Sequence, residues 1–245
     1  MISPYIAEFI GTAILLLLGN GIVSNVSLSK TKFTNQTPLI TITTAWGFAV
    51  FVAAFITGQF SGAHLNPAVT IGLMVAGKFS SDLVLGYIMA QLFGAMFGSF
   101  LVYVYYLDHF KETKDENAVM GSFCTSPAIR NNPSNLFSEF LATFILIFGI
   151  LYIVKPNIII EGMEANFGIG ALDALPVGIL VWVIGLGLGG TTGFAINPAR
   201  DLGPRIIYQL IPRKNKISDW AYSWIPVIGP CLGALAAGLL YLYLN

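Results

Sequence analysis

The chain has 245 residues, of which 56% are hydrophobic and 10% are charged, with twelve basic and twelve acidic side chains. A soluble domain carries about 25% charged residues, so this composition excludes an ordinary soluble protein. The balance of charges excludes a basic nucleic-acid-binding surface. Two cysteines and two histidines are too few for a disulfide framework or a histidine-built metal centre. We therefore expect neither a metal nor another cofactor.

Six windows of the sequence are apolar over about 20 residues, the length that a helix needs to cross a bilayer. They cover roughly residues 5–27, 39–58, 83–107, 136–154, 174–190 and 222–244. Their apolar residues run on without the alternation that marks the strands of a membrane barrel. The four residues before the first window contain no Lys or Arg, so this window is predicted to be a retained span and not a signal peptide. The fold class predicted is an all-α membrane protein.

Two short sequences recur at the same distance along the chain. Glu-Phe-Ile-Gly-Thr at 8–12 returns as Glu-Phe-Leu-Ala-Thr at 139–143, and His-Leu-Asn-Pro-Ala at 64–68 returns as Ala-Ile-Asn-Pro-Ala at 195–199. Both shifts are 131 residues, which indicates one domain over 1–245 that contains repeats of three spans, about 1–110 and 133–245. An odd number of spans inverts the second repeat, and inverted repeats place a functional site between the halves.

Two segments between the spans, 59–82 and 191–221, are too short or too polar to cross a membrane. Each contains Asn-Pro-Ala, and Asn favours the N-cap of a helix while Pro favours its first position. A helix of roughly ten residues is about 15 Å long, half of the bilayer core. We therefore predict two re-entrant half-helices that meet tip to tip. Their motif residues are Asn66, Pro67, Ala68, Asn197, Pro198 and Ala199.

The residues before each motif are predicted to be extended, with unpaired carbonyl groups. Non-helical backbone at membrane depth is tolerated where it lines a water-filled path, so these carbonyls are predicted to line a polar channel. They belong to Gly62, Ala63, His64, Leu65, Gly193, Phe194, Ala195 and Ile196.

Around the two motifs, at residues 61–70 and 193–201, the sequence resembles the aquaporin family. Asp201, directly after Arg200, makes the chain similar to the glycerol facilitator (aquaglyceroporin) branch. The resemblance implies a selectivity filter in which a glycine of the fifth span leaves room for a carbon chain. Its residues would be Trp46, Gly185, Phe194 and Arg200. The resemblance also implies a multi-pass homotetramer in the cell membrane, with one pore per subunit.

The function that the resemblance implies is passive conduction of small uncharged solutes, chiefly glycerol with some water, without enzymatic turnover. Trp46 and Phe194 would face the carbons of a polyol, and Arg200 would donate hydrogen bonds to two hydroxyls. Ions and protons would be excluded, and the partners expected are the solutes and lipid, with no nucleic acid. Three alternatives stay open: a channel mainly for water, a channel for dihydroxyacetone or neutral organic acids, and a gradient-coupled transporter.

Four residues have two interpretations each. Glu8 and Glu139 lie inside predicted spans, where a carboxylate is a functional candidate. The symmetry of the pair favours a structural role, in which each accepts hydrogen bonds from its re-entrant loop, over a proton-coupling site. Asp201 is expected to organise the first turn of the second half-helix, with contact to the solute as the alternative. His64 either donates from the pore wall or packs while its carbonyl faces the pore.

The longest polar stretch between spans covers residues 108–135 and mixes basic with acidic side chains. It is predicted to be a solvated face, with a lid over an outer vestibule as the alternative. The resemblance places both termini in the cytoplasm and most basic loop residues outside, whereas the positive-inside rule predicts the reverse. The sequence therefore leaves the orientation in the membrane open.

Overall fold

The computed structural model describes residues 2–34, 38–153, 157–160, 163–166, 168 and 170–245. Its α-helices, in chain order, are α1 (Pro4–Ser27), α2 (Pro38–Ser61), α3 (Pro67–Val75), α4 (Ser81–Tyr105), α5 (Leu107–Glu112), α6 (Glu116–Gly121), α7 (Asn132–Leu151), α8 (Leu175–Leu188), α9 (Pro198–Leu210) and α10 (Ile225–Leu244). Six of them are long and apolar enough to cross a membrane, namely α1, α2, α4, α7, α8 and α10. The span that contains α8 includes the 3₁₀ turn before it. The prediction of six spans is confirmed; residue 154, where the fourth window ends, lies outside the described residues.

Each half contains a parallel pair of helices that touch at glycines. A Cβ at Gly94 of α4 would lie 2.4 Å from the carbonyl oxygen of Phe9 in α1. In the second half, a Cβ at Gly233 of α10 would lie 2.3 Å from the carbonyl oxygen of Phe140 in α7. Small residues allow backbones to approach this closely in a membrane, so the same packing device serves both halves.

Helices α2 and α8 join the two halves through another glycine contact. A Cβ at Gly47 or at Gly178 would lie 2.7 Å from the carbonyl oxygen of the other. Thr43, earlier in α2, packs against Gly185, later in α8, so the two helices run antiparallel. A buried apolar cluster packs α3 against helices of the second half and includes Ala68, Ile147, Val181, Ile196 and Ala234.

The two half-helices, α3 and α9, begin at the prolines of the two Asn-Pro-Ala motifs and have 9 and 13 residues. The sequence predicted roughly ten for each. Helix α3 follows the end of α2 on the face where α1 begins, which we call the N-terminal face. Helix α9 follows the end of α8, and since α8 runs antiparallel to α2, it enters from the opposite face. The predicted pair of opposed half-helices is therefore present.

The stretch 108–135 is more structured than a solvated face. It contains most of α5 and all of α6, and a cluster of buried side chains holds both against the rest of the protein. Phe110, Val119 and Phe123 are buried there with Tyr208 of α9. The solvated-face interpretation holds for Lys111 and its exposed charged neighbours and is wrong for the buried residues.

The connection between α7 and α8 contains a short hairpin that the sequence did not predict. Strands β1 (Asn157–Ile160) and β2 (Met163–Asn166) pair antiparallel, with Asn157 opposite Asn166 and Ile160 opposite Met163. A 3₁₀ turn, Gly170–Ala174, then leads into α8. This connection lies on the N-terminal face, because α7 ends and α8 begins there.

Candidate functional site

Each half-helix is capped by the asparagine of its own motif. Asn66 Oδ1 accepts a hydrogen bond from the Ala68 amide at 2.8 Å. Asn197 Oδ1 accepts from the amides of Ala199 at 3.0 Å and Arg200 at 3.2 Å. The proline that follows each asparagine has no N–H to satisfy and suits the first helical position. The motif therefore starts a helix at once, without a connecting turn.

The same two asparagines also tie the loops to each other. Asn66 Nδ2 donates to the carbonyl oxygen of Ile196 at 2.8 Å, and Asn197 Nδ2 donates to that of Leu65 at 2.9 Å. This exchange brings the two helix tips together in the interior. An amide NH₂ has two donors and a carbonyl oxygen two lone pairs. Each of the two NH₂ groups and each of the two carbonyl oxygens therefore has one hydrogen-bonding position left for a bound molecule.

The loops before the motifs adopt a backbone that ordinary residues avoid. Four non-glycine residues have φ between +40° and +52°, namely Ala63, Leu65, Phe194 and Ile196. Left-handed backbone at such residues costs about 1–3 kcal/mol each and persists only where its surroundings enforce it. Gly62 and Gly193, which open the loops, have φ of 78° and 80°, and glycine adopts these values without strain.

A buried carboxylate enforces the first loop. Glu8 Oε1 accepts from the His64 amide at 2.9 Å and from the Ser61 hydroxyl at 2.6 Å. Glu8 Oε2 accepts from the Leu65 amide at 2.7 Å and from Gln91 Nε2 at 2.8 Å. A carboxylate has about four acceptor positions, so all of them are occupied.

The second loop is held in the same way. Glu139 Oε1 accepts from the Ala195 amide at 3.0 Å, and Oε2 accepts from the Ile196 amide at 2.9 Å. In both halves the carboxylate lies 56 and 57 residues before the amides that it binds. Glu8 and Glu139 are fully buried. The repeat in the sequence is therefore a repeat of contacts.

A cavity of about 630 Å³ lies between the halves. Along α2 its lining runs from Trp46 to Gln59, near the N-terminal face. Residues 62–66 and 194–197 of the two loops line it; within the described chain, the predicted Gly193 does not. The helices supply a largely apolar wall that includes Leu15, Val50, Leu146 and Val181. The cavity thus offers both hydrogen-bonding backbone and apolar surface.

His64 lies at the cavity wall with its ring packed against other side chains. It lines the cavity, and its ring packs against Phe79 and Tyr87, with centroids 4.5 and 4.9 Å away. Its Nδ1 lies 3.1 Å from the Thr70 hydroxyl oxygen. The ring is therefore fixed from several sides at the edge of the cavity.

Trp46, Phe194 and Arg200 line the end of the cavity that is farther from the N-terminal face. The Arg200 guanidinium carbon lies 4.2 Å from the centroid of the Trp46 ring, a cation–π geometry. Arg200 Nη1 donates to the Phe123 carbonyl at 3.2 Å. Gly185 is not among the described residues that line the cavity. It lies behind Phe194, where a Cβ would be 3.0 Å from the ring of that residue.

The carboxylate of Asp201 is used outside the first turn of α9, where the sequence had placed its role. Its Oδ2 accepts from the amide and hydroxyl of Thr125, at 2.8 and 2.7 Å. Its Oδ1 accepts from Arg205 Nε at 2.9 Å. Asp201 and Arg205 are completely buried, and Arg205 also donates to the carbonyls of Thr125 and Ser218. Asp201 thus joins α9 to the segment that follows α6.

Sequence reasoning missed two groups of residues at this site. The apolar wall was within reach, because Leu15 and Leu146, and likewise Val50 and Val181, are 131 residues apart and line the same cavity. The contact from Phe123 left no trace in the sequence pattern. It lies between the two repeats, and its contribution is a backbone carbonyl that any residue type provides.

Six apolar helices around two opposed half-helices, with an amphipathic cavity between them, define a membrane channel. The sequence matches the family model described as "Major intrinsic protein" over residues 1–241. The chain belongs to this family, and its fold is that of the aquaporins.

Named relatives cover almost the whole chain. A protein named "Probable glycerol uptake facilitator protein" from Thermotoga maritima is 48% identical over 99% of both chains. A "D/L-lactic acid transporter" from Lactiplantibacillus plantarum is 41% identical over 97% of this chain and 95% of its own. The X-ray structure of the aquaglyceroporin from Plasmodium falciparum superposes with a TM-score of 0.80 at 33% identity. The superposition covers 97% of this chain and 93% of the Plasmodium chain.

Proposed function

We propose that this protein is a passive channel in the cell membrane that conducts small uncharged solutes, chiefly glycerol and to a lesser extent water. The observation that carries the proposal is the amphipathic cavity that leads to Trp46, Phe194 and Arg200. The relatives named as glycerol facilitators support the choice of solute. Conduction involves no change of covalent bonds, so the protein is not an enzyme.

A polyol has a face of C–H groups and a face of hydroxyls, and the cavity complements both. The apolar wall, with Leu15 and Val181, accepts the carbons, while the loop backbone and the motif asparagines serve the hydroxyls. At the filter, Arg200 donates two hydrogen bonds from its planar fork to neighbouring hydroxyls. The Trp46 and Phe194 rings pack against the carbons. Selectivity then follows from pore width and the placement of donors.

Ions are rejected by positive charge and by the cost of losing water. Each half-helix presents the positive end of its dipole, equivalent to about half an elementary charge, to the cavity. Arg200, which is 7% exposed, adds a full positive charge. A cation therefore meets repulsion where the apolar wall offers no replacement for its hydration shell.

The contacts of the two carboxylates favour a passive channel over a proton-coupled transporter. Glu8 and Glu139 accept hydrogen bonds from loop amides. Within the described chain neither residue lines the cavity. A proton-coupling group needs access to water and a free acceptor position. The four occupied positions of Glu8 leave none, and Glu139 is fully buried and binds its own loop in the corresponding way. We therefore assign both residues to support of the loops.

The proposal is tested by light scattering from liposomes that contain the purified protein. We expect glycerol uptake about tenfold or more above that of empty liposomes, water flow also above that of empty liposomes, and no dependence on a proton or sodium gradient. Fast water flow with glycerol uptake at the level of empty liposomes would show a water channel. Uptake against a solute gradient would show a coupled transporter.

A second solute class is favoured by one comparison, the relative named as a D/L-lactic acid transporter. Protonated lactic acid is uncharged and has a hydroxyl next to a carboxyl, so it offers the Arg200 fork two oxygens as glycerol does. The test is uptake of lactic acid into the same liposomes, measured at one pH below the pKa of the acid and at one above it. Conduction that disappears as the acid ionises would add neutral organic acids to the solutes.

We further propose that four copies assemble with one pore in each. Exposed apolar side chains on the spans, such as Phe93 and Leu239, suit contact with lipid or with a neighbouring copy. Native mass spectrometry of the detergent-solubilised protein measures the number of subunits. A monomer at all detergent concentrations would contradict the tetramer and leave the conduction proposal standing.

A further inference from the structure

We propose that Asn20, which lies outside the cavity, is a positioning residue that determines how well Arg200 selects glycerol. The inference rests on the proposed function, because it assigns a support to the filter of that channel. It concerns a contact between α1 and the segment after α6, and neither element carries one of the Asn-Pro-Ala motifs. The link between Asn20 and the filter is the backbone carbonyl of Phe123.

The Phe123 carbonyl accepts hydrogen bonds from two side chains. Arg200 Nη1 donates to it at 3.2 Å, and Asn20 Nδ2 donates to it at 3.3 Å. Within the described part of the chain, this carbonyl is the acceptor that the Arg200 side chain reaches. Asn20 is completely buried. The direction of the guanidinium fork therefore depends on a carbonyl that Asn20 holds in place.

The peptide group between Phe123 and Cys124 is held at both of its polar ends. Its N–H, which belongs to Cys124, donates to the Met120 carbonyl at 3.0 Å. Its carbonyl oxygen, which belongs to Phe123, accepts from Asn20 and from Arg200. Asn20 therefore supplies the contact from α1 at the end of this peptide group that meets the guanidinium.

Asn20 is an expensive residue for a purely structural purpose. Its Oδ1 is buried and has no hydrogen-bond partner among the described residues. An unpaired buried polar atom is destabilising, and an apolar side chain of the same shape avoids that cost. The neighbouring Gly19 shows that this turn of α1 serves the filter, because a Cβ there would lie 2.4 Å from the Trp46 ring. One turn of α1 thus supports Trp46 directly and Arg200 through Phe123.

Asn20 also donates to the Ser99 hydroxyl of α4 at 3.2 Å, which offers a competing explanation. If Asn20 serves only to join α1 to α4, its loss should lower stability and affect all solutes alike. If it positions Arg200, its loss should change the ratio of glycerol to water. Glycerol needs two aligned donors from the fork, whereas water needs one.

The experiment compares Asn20→Leu, which keeps the branched shape and removes the donor, with Ser99→Ala, which removes the other partner and leaves the Phe123 contact. Asn20→Ala is made alongside in case leucine does not fit. Glycerol and water permeability are measured in liposomes at equal protein content, and thermal unfolding is measured in detergent. For Asn20→Leu we expect glycerol permeability to fall about threefold to tenfold, with water permeability changed less than about twofold.

For Ser99→Ala we expect the glycerol-to-water ratio of the unchanged protein, and for Asn20→Leu we expect an unfolding temperature at or above that of the unchanged protein. Equal losses of glycerol and water, or the same change of ratio in Ser99→Ala, would overturn the inference. So would failure of both Asn20 variants to fold, since Asn20 would then be a folding determinant. If the unchanged protein conducts no glycerol, the proposed function itself fails, which this design shows separately.

Discussion

The two re-entrant halves share a backbone and differ in side chains. Val69 and Thr70 of α3 correspond, 131 residues on, to Arg200 and Asp201 of α9. Val69 and Arg200 both line the cavity, so the same position is apolar on one side and cationic on the other. The two copies therefore share one backbone frame, and the cationic side chain at the cavity belongs to only one of them.

The charged half needs more support than the neutral one. In the first half, Thr70 accepts a hydrogen bond from Gln91 at 2.9 Å, and no charged residue lies on α3. In the second half, Asp201 pairs with Arg205 at 2.8 Å. Buried charges are stable only when they are paired and hydrogen-bonded. This explains why α9, and not α3, is tied to the segment after α6.

The largest effect is expected from breaking the ion pair. Asp201→Ala leaves Arg205 buried without its carboxylate, which costs about 3–5 kcal/mol. Thr70→Val at the corresponding position of α3 removes a neutral partner and costs about 1–3 kcal/mol. Thermal unfolding of the two purified variants in detergent measures the difference. Asp201→Ala combined with Arg205→Met should recover part of the loss, and equal destabilisation by the two single variants would contradict the comparison.

The second-largest effect, on stability and on glycerol flux, is expected from the carboxylates that hold the loops. Glu8→Gln puts an NH₂ donor at a carboxylate that accepts four hydrogen bonds, whereas Glu139 accepts from two loop amides and from the Thr192 side chain. An amide that opposes a donor leaves buried groups unpaired, at about 1–3 kcal/mol. Both variants should lower the unfolding temperature and glycerol flux, Glu8→Gln more than Glu139→Gln. The reverse order would show that the charged half depends more on its loop carboxylate.

A third and weaker effect, on conduction, is expected from a substitution at Gly185. Gly185→Ala places a Cβ 3.0 Å from Phe194 and 2.9 Å from Thr43, so the ring must shift. Glycerol flux should fall about twofold to fivefold and water flux less, because the wider solute meets the displaced ring first. Gly185→His should strengthen the same trend. Ala54→Gly, at the corresponding position of the first half, serves as the control, and equal losses of both fluxes would make Gly185 a packing residue.

The smallest effect is expected far from both loops. Lys30 pairs with Glu112 on the surface, and its ammonium group lowers the pKa of that carboxyl. A lowered pKa contributes stability at neutral pH that is lost as the pH falls, but exposed pairs contribute little. Lys30→Met should therefore leave glycerol flux, and its change between pH 7 and pH 4, indistinguishable from the unchanged protein. A clear loss of flux would mean that α5 influences the filter.

Much of the fold could be predicted because it depends on local sequence patterns. Apolar windows gave six spans, and the Asn-Pro pairs at 66–67 and 197–198 gave the starts of α3 and α9. The filter candidates Trp46, Phe194 and Arg200 came from resemblance to a known family, and the structure places them around one end of one cavity. Their roles in selectivity stay predictions until flux is measured. Gly185 was expected in the filter and lies behind Phe194.

The membrane class, the number of spans and the half-helices can be read from the sequence, because hydrophobicity and helix capping act over short distances, and the repeat is visible as recurring residues. The fold alone shows that the Phe123 carbonyl meets Arg200, that Thr125 binds Asp201 and that Asn20 lies beside Phe123. These contacts join residues between 76 and 103 positions apart. A backbone carbonyl looks the same at every residue, so its direction becomes a property of the folded chain alone.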